Sequence, residues 1–314
     1  FASGDDANGT NLDDAKVLES FDLFPSINLI EKVKEKENLR FSYGRTIARP
    51  SFKELSFAQI LDPISNRIFN GSLFKYADWD GNLKETRIEN IDVRWELYKK
   101  VGQMISVSGF YKFFDKPIEL VRIPEQQTST EYQPRNVGDG MVFGLEFEFK
   151  TNIELISNEK NVFSLNGNLI LVNSQITMTD AEYNSRNGYL KEGESISNRR
   201  QMAGQSPFVV NCGLTYTKKE SDLQAGLFYN VKGPTLYILG AGLFPDIYTD
   251  PFHSLNFSIN KKIGKEKRTK IDFKVSNILG DNNYNYYSSF EAENQTYSEF
   301  NIGRTYSLGV NHSF

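Results

Sequence analysis

From about residue 24 to its end, the chain alternates apolar and polar residues in long segments, and the connections between them are by turns short and long. In 141–150, Met141, Phe143, Leu145, Phe147 and Phe149 share one side, opposite Gly144, Glu146, Glu148 and Lys150. In 104–112, Ile105, Val107, Gly109 and Tyr111 oppose Ser106, Ser108 and Lys112, with Phe110 among the polar set. In 223–231, Leu223, Ala225, Leu227, Tyr229 and Val231 oppose Gln224, Gly226 and Asn230. A period of two with one apolar side is the mark of a β-strand. It predicts eleven strands, at about 24–34, 39–47, 86–100, 104–114, 137–151, 161–177, 206–218, 222–232, 253–263, 268–279 and 302–314. Helical periodicity is weak and confined to short stretches such as 12–20.

Several of these segments exceed ten residues, whereas globular strands usually run about five or six. Crossing a bilayer core at a tilt near 45° takes roughly 9–11 residues. The short connections are charged turns near 35–38, 100–103, 157–161, 218–222 and 264–268. The long ones are 48–85, 115–136, 178–205, 233–252 and 280–301. Outer-membrane barrels have short periplasmic turns and long extracellular loops. If the last strand ends in the periplasm, every short turn falls there and every long loop falls outside. The reading is therefore all-β: a transmembrane antiparallel barrel in an outer membrane, surrounded by its lipid.

Composition agrees once that geometry is allowed for. The mean hydropathy is −0.47, and no run of 18 apolar residues offers a transmembrane helix. A barrel strand turns only every second residue to lipid, so its average hydropathy stays low. The 24 Phe and 16 Tyr suit strands and interfacial girdles. A net charge of −4 without a basic stripe gives no footprint for nucleic acid. Cys212 is the single cysteine, which excludes an internal disulfide, and His253 and His312 have no partners at metal-ligand spacing. No cofactor motif and no catalytic motif occurs: there is no Gly-x-Ser-x-Gly, no zinc-binding His pair and no phosphate loop. Glu146 and Glu148 could formally serve as a glycosidase pair, but alternation along one strand accounts for them. The chain starts at Phe1 in a polar, loop-like stretch, so it is expected to begin inside a longer protein.

The polar side carries Asp92, Arg94, Glu96, Glu146, Glu148, Asn166, Asn168, Asn211, Thr215, Asp272 and Lys274. Charges facing inward need water, a polar plug or one another, which fits a wide lumen. Asp92, Arg94, Glu96, Glu146 and Glu148 are the candidate lumen or plug contacts. At the C-terminus, Tyr306, Leu308, Val310, His312 and Phe314 alternate with Ser307, Gly309, Asn311 and Ser313. This resembles the signal read by the barrel-assembly machinery through strand addition, carried by Tyr306, Leu308, Val310 and Phe314. His312 departs from the usual apolar choice, and an ordinary last strand would read the same way.

Several motifs, in order, resemble one family. They are LRFSYGRTIARPSFKEL (39–55), GNLKETRIENIDVRWELY (81–98), SVSGFYKFFDKPIELV (106–121), GLEFEF (144–149), GQSPFVVNCGLTY (204–216), FKVSNILGDNNY (273–284) and GRTYSLGV (303–310). The set resembles the C-terminal barrel half of TonB-dependent receptors, especially the Bacteroidetes-type outer-membrane barrels, from about residue 20 onward. The resemblance implies a 22-stranded barrel around a plug domain, with residues 1–314 as the C-terminal part of the barrel. Plug and TonB box would lie upstream, and TonB would engage that missing part. It also implies a receptor taking up a nutrient (siderophore, haem, cobalamin, glycan or peptide), with a surface lipoprotein as a further possible partner. A passive pore, another outer-membrane barrel and a soluble all-β binding protein remain alternatives. The expected ligand-contacting residues are aromatics of the long loops: Tyr76, Trp79, Tyr183, Tyr237, Tyr284, Tyr286 and Tyr287, with Tyr189 and Tyr248 nearby. Aromatic rings beside polar groups offer stacking faces, although girdle and packing roles use the same residues. The Asp- and Asn-rich run at 281–285 lacks the Gly and Glu positions of a calcium loop.

Overall fold

The computed structural model describes residues 16–62, 67–76, 78–100, 102–123, 130–153, 156–158 and 160–313. Eleven long strands carry the fold: β1 (Ser26–Lys34), β2 (Glu37–Ala48), β3 (Thr86–Lys100), β4 (Gln103–Asp115), β5 (Gly140–Asn152), β6 (Asn161–Thr177), β7 (Phe208–Lys218), β8 (Leu223–Lys232), β9 (Phe252–Ile263), β10 (Thr269–Ser276) and β11 (Thr305–His312). Each pairs antiparallel with its neighbours in chain order, which makes an uninterrupted meander. A two-residue strand, Arg199–Arg200, pairs with the end of β6. The sheet is open: β1 and β11 each have one partner among the described residues.

The register lines up the two side-chain sets as rows. Asn38, Glu96, Ser106, Glu148, Asn168, Asn211, Asn230 and Ser254 lie opposite one another in turn from β2 to β9. One residue along, Leu39, Trp95, Val107, Phe147, Leu169, Val210 and Val231 form the matching row on the other face. A slip of one residue would exchange the faces, so the pattern fixes the register. The apolar face is bare: Phe143, Leu145 and Phe147 are 42%, 48% and 40% exposed. At β8, by contrast, the same face is covered, with Val231 buried.

On the polar face two aromatic rings lie over glycines. A side-chain carbon on Gly144 would fall 2.2 Å from the Leu171 carbonyl oxygen and 2.7 Å from the Phe110 ring. Phe228 likewise covers Gly213 and Gly226. These glycines exist because another group occupies the space above them.

The two ends of the sheet differ. At one end the connections are tight. Gly102 and Gly264 take positive φ (74° and 86°), and Asp222 adopts the left-handed conformation after the turn Lys219–Ser221. At the other end the five long connections fold against one another. Gln59–Asp62, Arg67–Asn70, Thr130–Asn136 and Ile118–Arg122 form one small sheet, and Thr235–Ile238, Asp246–Thr249, Asn283–Ser288 and Gln295–Phe300 form another. A bridge from Val121 to Leu239 joins them. A helix, Asp180–Asn187, starts at Thr179, whose hydroxyl accepts from the Glu182 amide at 3.2 Å. These loops hold most of the buried apolar side chains, including Phe74, Leu83, Ile123, Tyr132, Leu236, Ile238, Leu239 and Ile247; the long strands add only Val142, Ile176 and Val231. The hydrophobic core thus sits in the loop cap, and the sheet spends its apolar residues outward.

Candidate functional site

Two surfaces collect the candidate residues: the polar wall of the sheet and the folded loop cap above it. On the wall, alternation brings charges from separate strands into one chain of contacts. Arg40 on β2 donates from Nε to Glu96 Oε2 (2.8 Å), and Arg94 donates from Nε to the other Glu96 oxygen (2.9 Å). Tyr98 also donates to Glu96 (3.0 Å). The Nη2 of Arg94 reaches Glu148 on β5 (2.7 Å), and its Nη1 reaches Ser108 (3.3 Å). Asp92 accepts from Ser42 (3.4 Å), and Glu146 accepts from Asn168 (3.5 Å). The line continues as an amide ladder: Asn211 donates to Asn168 (2.6 Å), and Asn230 donates to Asn211. All five predicted lumen residues therefore lie on the same wall. Arg94, Glu96 and Glu148 compensate one another's charge, while Asp92 and Glu146 are met by the neutral donors Ser42 and Asn168.

The loop aromatics separate into three settings. Tyr76 and Trp79 close a tight bridge through their backbones. The Tyr76 hydroxyl accepts from Asn70 (2.8 Å) and donates to Glu131 (3.3 Å), while Trp79 donates from its indole to the Ser72 carbonyl (2.7 Å). Burial, with Glu131 beside it, pushes the Tyr76 phenol up to about 12. Tyr284, Tyr286 and Tyr248 form a second group of stacked rings, with centroids 5.9 and 6.1 Å apart. Burial, and then Asp246, raises Tyr248 to about 12. Tyr287 points to the opposite side of its strand and packs with Tyr132, Ile238, Ile247 and Tyr297 in the cap core. Tyr237 is exposed on Thr235–Ile238, and Tyr183 is half-buried on the helix.

The periodicity of the sequence does not reveal what ties the cap together. Arg200 pairs with Glu119 (2.7 Å) and with Glu182; Glu182 also accepts from Arg186 (3.1 Å); Arg186 grips Asp246 through two bonds (3.0 and 2.8 Å). Glu119 further accepts from the Ala203 amide (2.7 Å), and Asp246 accepts from the Gly240 amide (2.8 Å). These five charged groups link three separate connections. Burial disfavours the charge on Arg186 and Arg200, but their carboxylate partners more than offset it and hold both guanidiniums above the usual arginine value. The one local signal was Thr179 three residues before Glu182, the spacing of a helix start.

A cavity in the cap is lined by Asp78, Trp79, Arg122, Arg135, Glu182 and Ser185, together with residues 239–241. It lies where the three linked connections meet the segment carrying Tyr76 and Trp79. At the C-terminus, Tyr306, Leu308 and Val310 project from the outer face of the edge strand β11, largely exposed. Phe314 lies outside the described residues. Among those residues no cluster of His, Cys, Asp and Glu could hold a metal ion.

A family model described as TonB dependent receptor-like, beta-barrel matches residues 2–278. Solved structures with the same fold include the copper transporter OprC (16% identity, TM-score 0.59, covering 92% of this chain and 39% of that one). The FrpB iron transporter from Neisseria meningitidis is similar (16%, 0.55, 93% and 39%). So is the siderophore receptor PirA from Pseudomonas aeruginosa (14%, 0.54, 93% and 42%). At these identities the likeness is one of fold, and the chain spans about two fifths of the length of each structure. No curated protein sequence matches the chain.

Proposed function

This chain belongs to the TonB-dependent receptor-like β-barrel family, and from that premise we propose that the protein carrying it is an energised outer-membrane receptor. It would bind a scarce nutrient at the loop cap and pass it along the polar wall as a plug rearranges. The family is one of receptors and transporters rather than enzymes. The observation that carries the reading is the two-faced sheet: an unbroken apolar row backs onto an unbroken polar row. That arrangement suits lipid on one side and water or a polar plug on the other. In this reading Asp92, Arg94, Glu96, Glu146 and Glu148 line the route or meet the plug, and two sets of cap aromatics, the exposed Tyr237 and the half-buried Tyr284–Tyr286 stack, meet the ligand.

The same reading brings partners with it: outer-membrane lipid around β1 to β11, TonB through a part of the protein outside these residues, and the barrel-assembly machinery at Tyr306, Leu308, Val310 and Phe314. A surface lipoprotein over the cap would fit glycan or peptide cargo, whereas siderophore, haem or cobalamin would need none. The test is uptake by intact cells. Accumulation of the cognate nutrient should require both this protein and TonB, and the purified protein should pass little current in planar bilayers. A steady open-channel current together with TonB-independent uptake would replace this reading by a passive pore.

A further inference from the structure

Two guanidiniums in the loop cap lack the acceptors that their burial calls for. Arg122 closes the strand Ile118–Arg122 and is 6% exposed. Its Cζ lies 3.2 Å from the centroid of the Phe244 ring. Among the described residues it makes no ion pair and no side-chain hydrogen bond, and the groups that act on it electrostatically are the phenols of Tyr132, Tyr287 and Tyr297. Arg135, 5% exposed, donates from Nε to Gln133 (2.9 Å) and from Nη1 to Asp78 (2.7 Å), while its buried Nη2 has no partner. Both arginines line the same cavity.

Arginine cannot relieve such a deficit by losing its proton, and a buried charge without a counter-charge is costly. The acids of the cavity are already engaged. Asp78 is paired with Arg135, and Glu182 is shared between Arg186 and Arg200. The cavity is thus left with a surplus of fork-shaped donors. Guanidinium forks match carboxylate and phosphate oxygens in shape as well as in charge.

We propose that this cavity is an anion site, in which Arg122 and Arg135 take the carboxylate or phosphate group of a ligand. The proposal rests on the reading of the cap as the ligand-capturing face and adds the chemical class of what is captured. The experiment is calorimetric titration of the whole purified protein in detergent with inorganic phosphate, with acetate and with methyl glucoside as the uncharged arm. Saturable binding of phosphate or acetate is expected, weakened at least about tenfold in Arg122→Gln and in Arg135→Gln, with circular dichroism unchanged. Arg122→Lys is the second variant. It keeps the charge and loses the fork, and should fold as wild type while binding more weakly. Phosphate saturating and acetate not would identify the ligand group as a phosphate, and the reverse as a carboxylate.

Equal affinities in wild type and all variants would overturn the proposal. So would saturable binding of the glucoside alone, or no saturable anion binding up to about 50 mM. Because the titration involves no transport, the two readings can fail separately. A protein that binds anion but accumulates nothing in energised cells keeps this site and loses the transport reading. One that accumulates its nutrient but binds no anion loses this site alone.

Discussion

Glu182 shows how much one residue can hold in the cap, because its carboxylate is shared by two part-buried arginines. Glu182→Gln removes that charge and leaves Arg200 to Glu119 and Arg186 to Asp246. Because each arginine keeps one carboxylate, the cost should stay below the roughly 3–5 kcal/mol of a buried charge left unpaired. The loss is expected as faster amide hydrogen exchange in the helix Asp180–Asn187, with β4 to β7 unchanged; unaltered protection of the helix would show that the pair contributes nothing. Tyr76 gives a second prediction. Its folded pKa, about 12, lies above the ordinary value of 10.0. In a raised acid the folded state keeps its proton while the unfolded state loses it. The stability contributed by neutral Tyr76 is therefore fully present below pH 10 and lost as the pH rises to about 12. Alkaline unfolding of the cap should be less steep in Tyr76→Phe over that interval, followed by circular dichroism, and identical curves would contradict the assignment. Single residues of the polar wall were legible in advance, since Arg94, Glu96 and Glu148 sit at fixed parity within recognisable strands. Glu119, Glu182, Arg186, Arg200 and Asp246 were not, because their partnerships join segments far apart in sequence and obey no local period.

The eleven long strands appear where alternation placed them, but their ends shift by a few residues. The strand expected at 137–151 begins at Gly140, because Val137 turns into the cap core with Ile176 and Met202. The last strand, expected at 302–314, runs from Thr305 to His312. The short strands of the cap escaped the sequence for a physical reason. They span two to seven residues, too few to show a period, and they pair at long range, as Arg67–Asn70 does in parallel with Thr130–Asn136. Strand packing makes its own prediction. Gly144→Ala would press a carbon against the Leu171 carbonyl and the Phe110 ring, whereas Gly109→Ala on the apolar face meets only Leu145 at 3.7 Å. The first should destabilise the sheet by about 1–3 kcal/mol and the second should change little. Thermal unfolding of the two variants in the same detergent tests this, and equal midpoints would mean that β5 and β6 yield to the added carbon.

At the scale of the whole molecule, the fold is inverted: a polar wall, a largely exposed apolar face, and a hydrophobic core displaced into the loops. The open edges at β1 and β11 leave unpaired backbone donors and acceptors among the described residues. Everything in the functional reading depends on which face meets lipid. The direct measurement is nitroxide accessibility in the whole protein reconstituted into bilayers. Single cysteines are placed in a Cys212→Ser background at 143, 145, 146, 147 and 148 of β5 and labelled in turn. Labels at 143, 145 and 147 should collide with dissolved oxygen and be shielded from a water-soluble nickel chelate, while those at 146 and 148 should do the reverse. Labels of both parities shielded from both reagents, or a pattern without the two-residue period, would place this sheet in a water-excluding interior and contradict the membrane assignment.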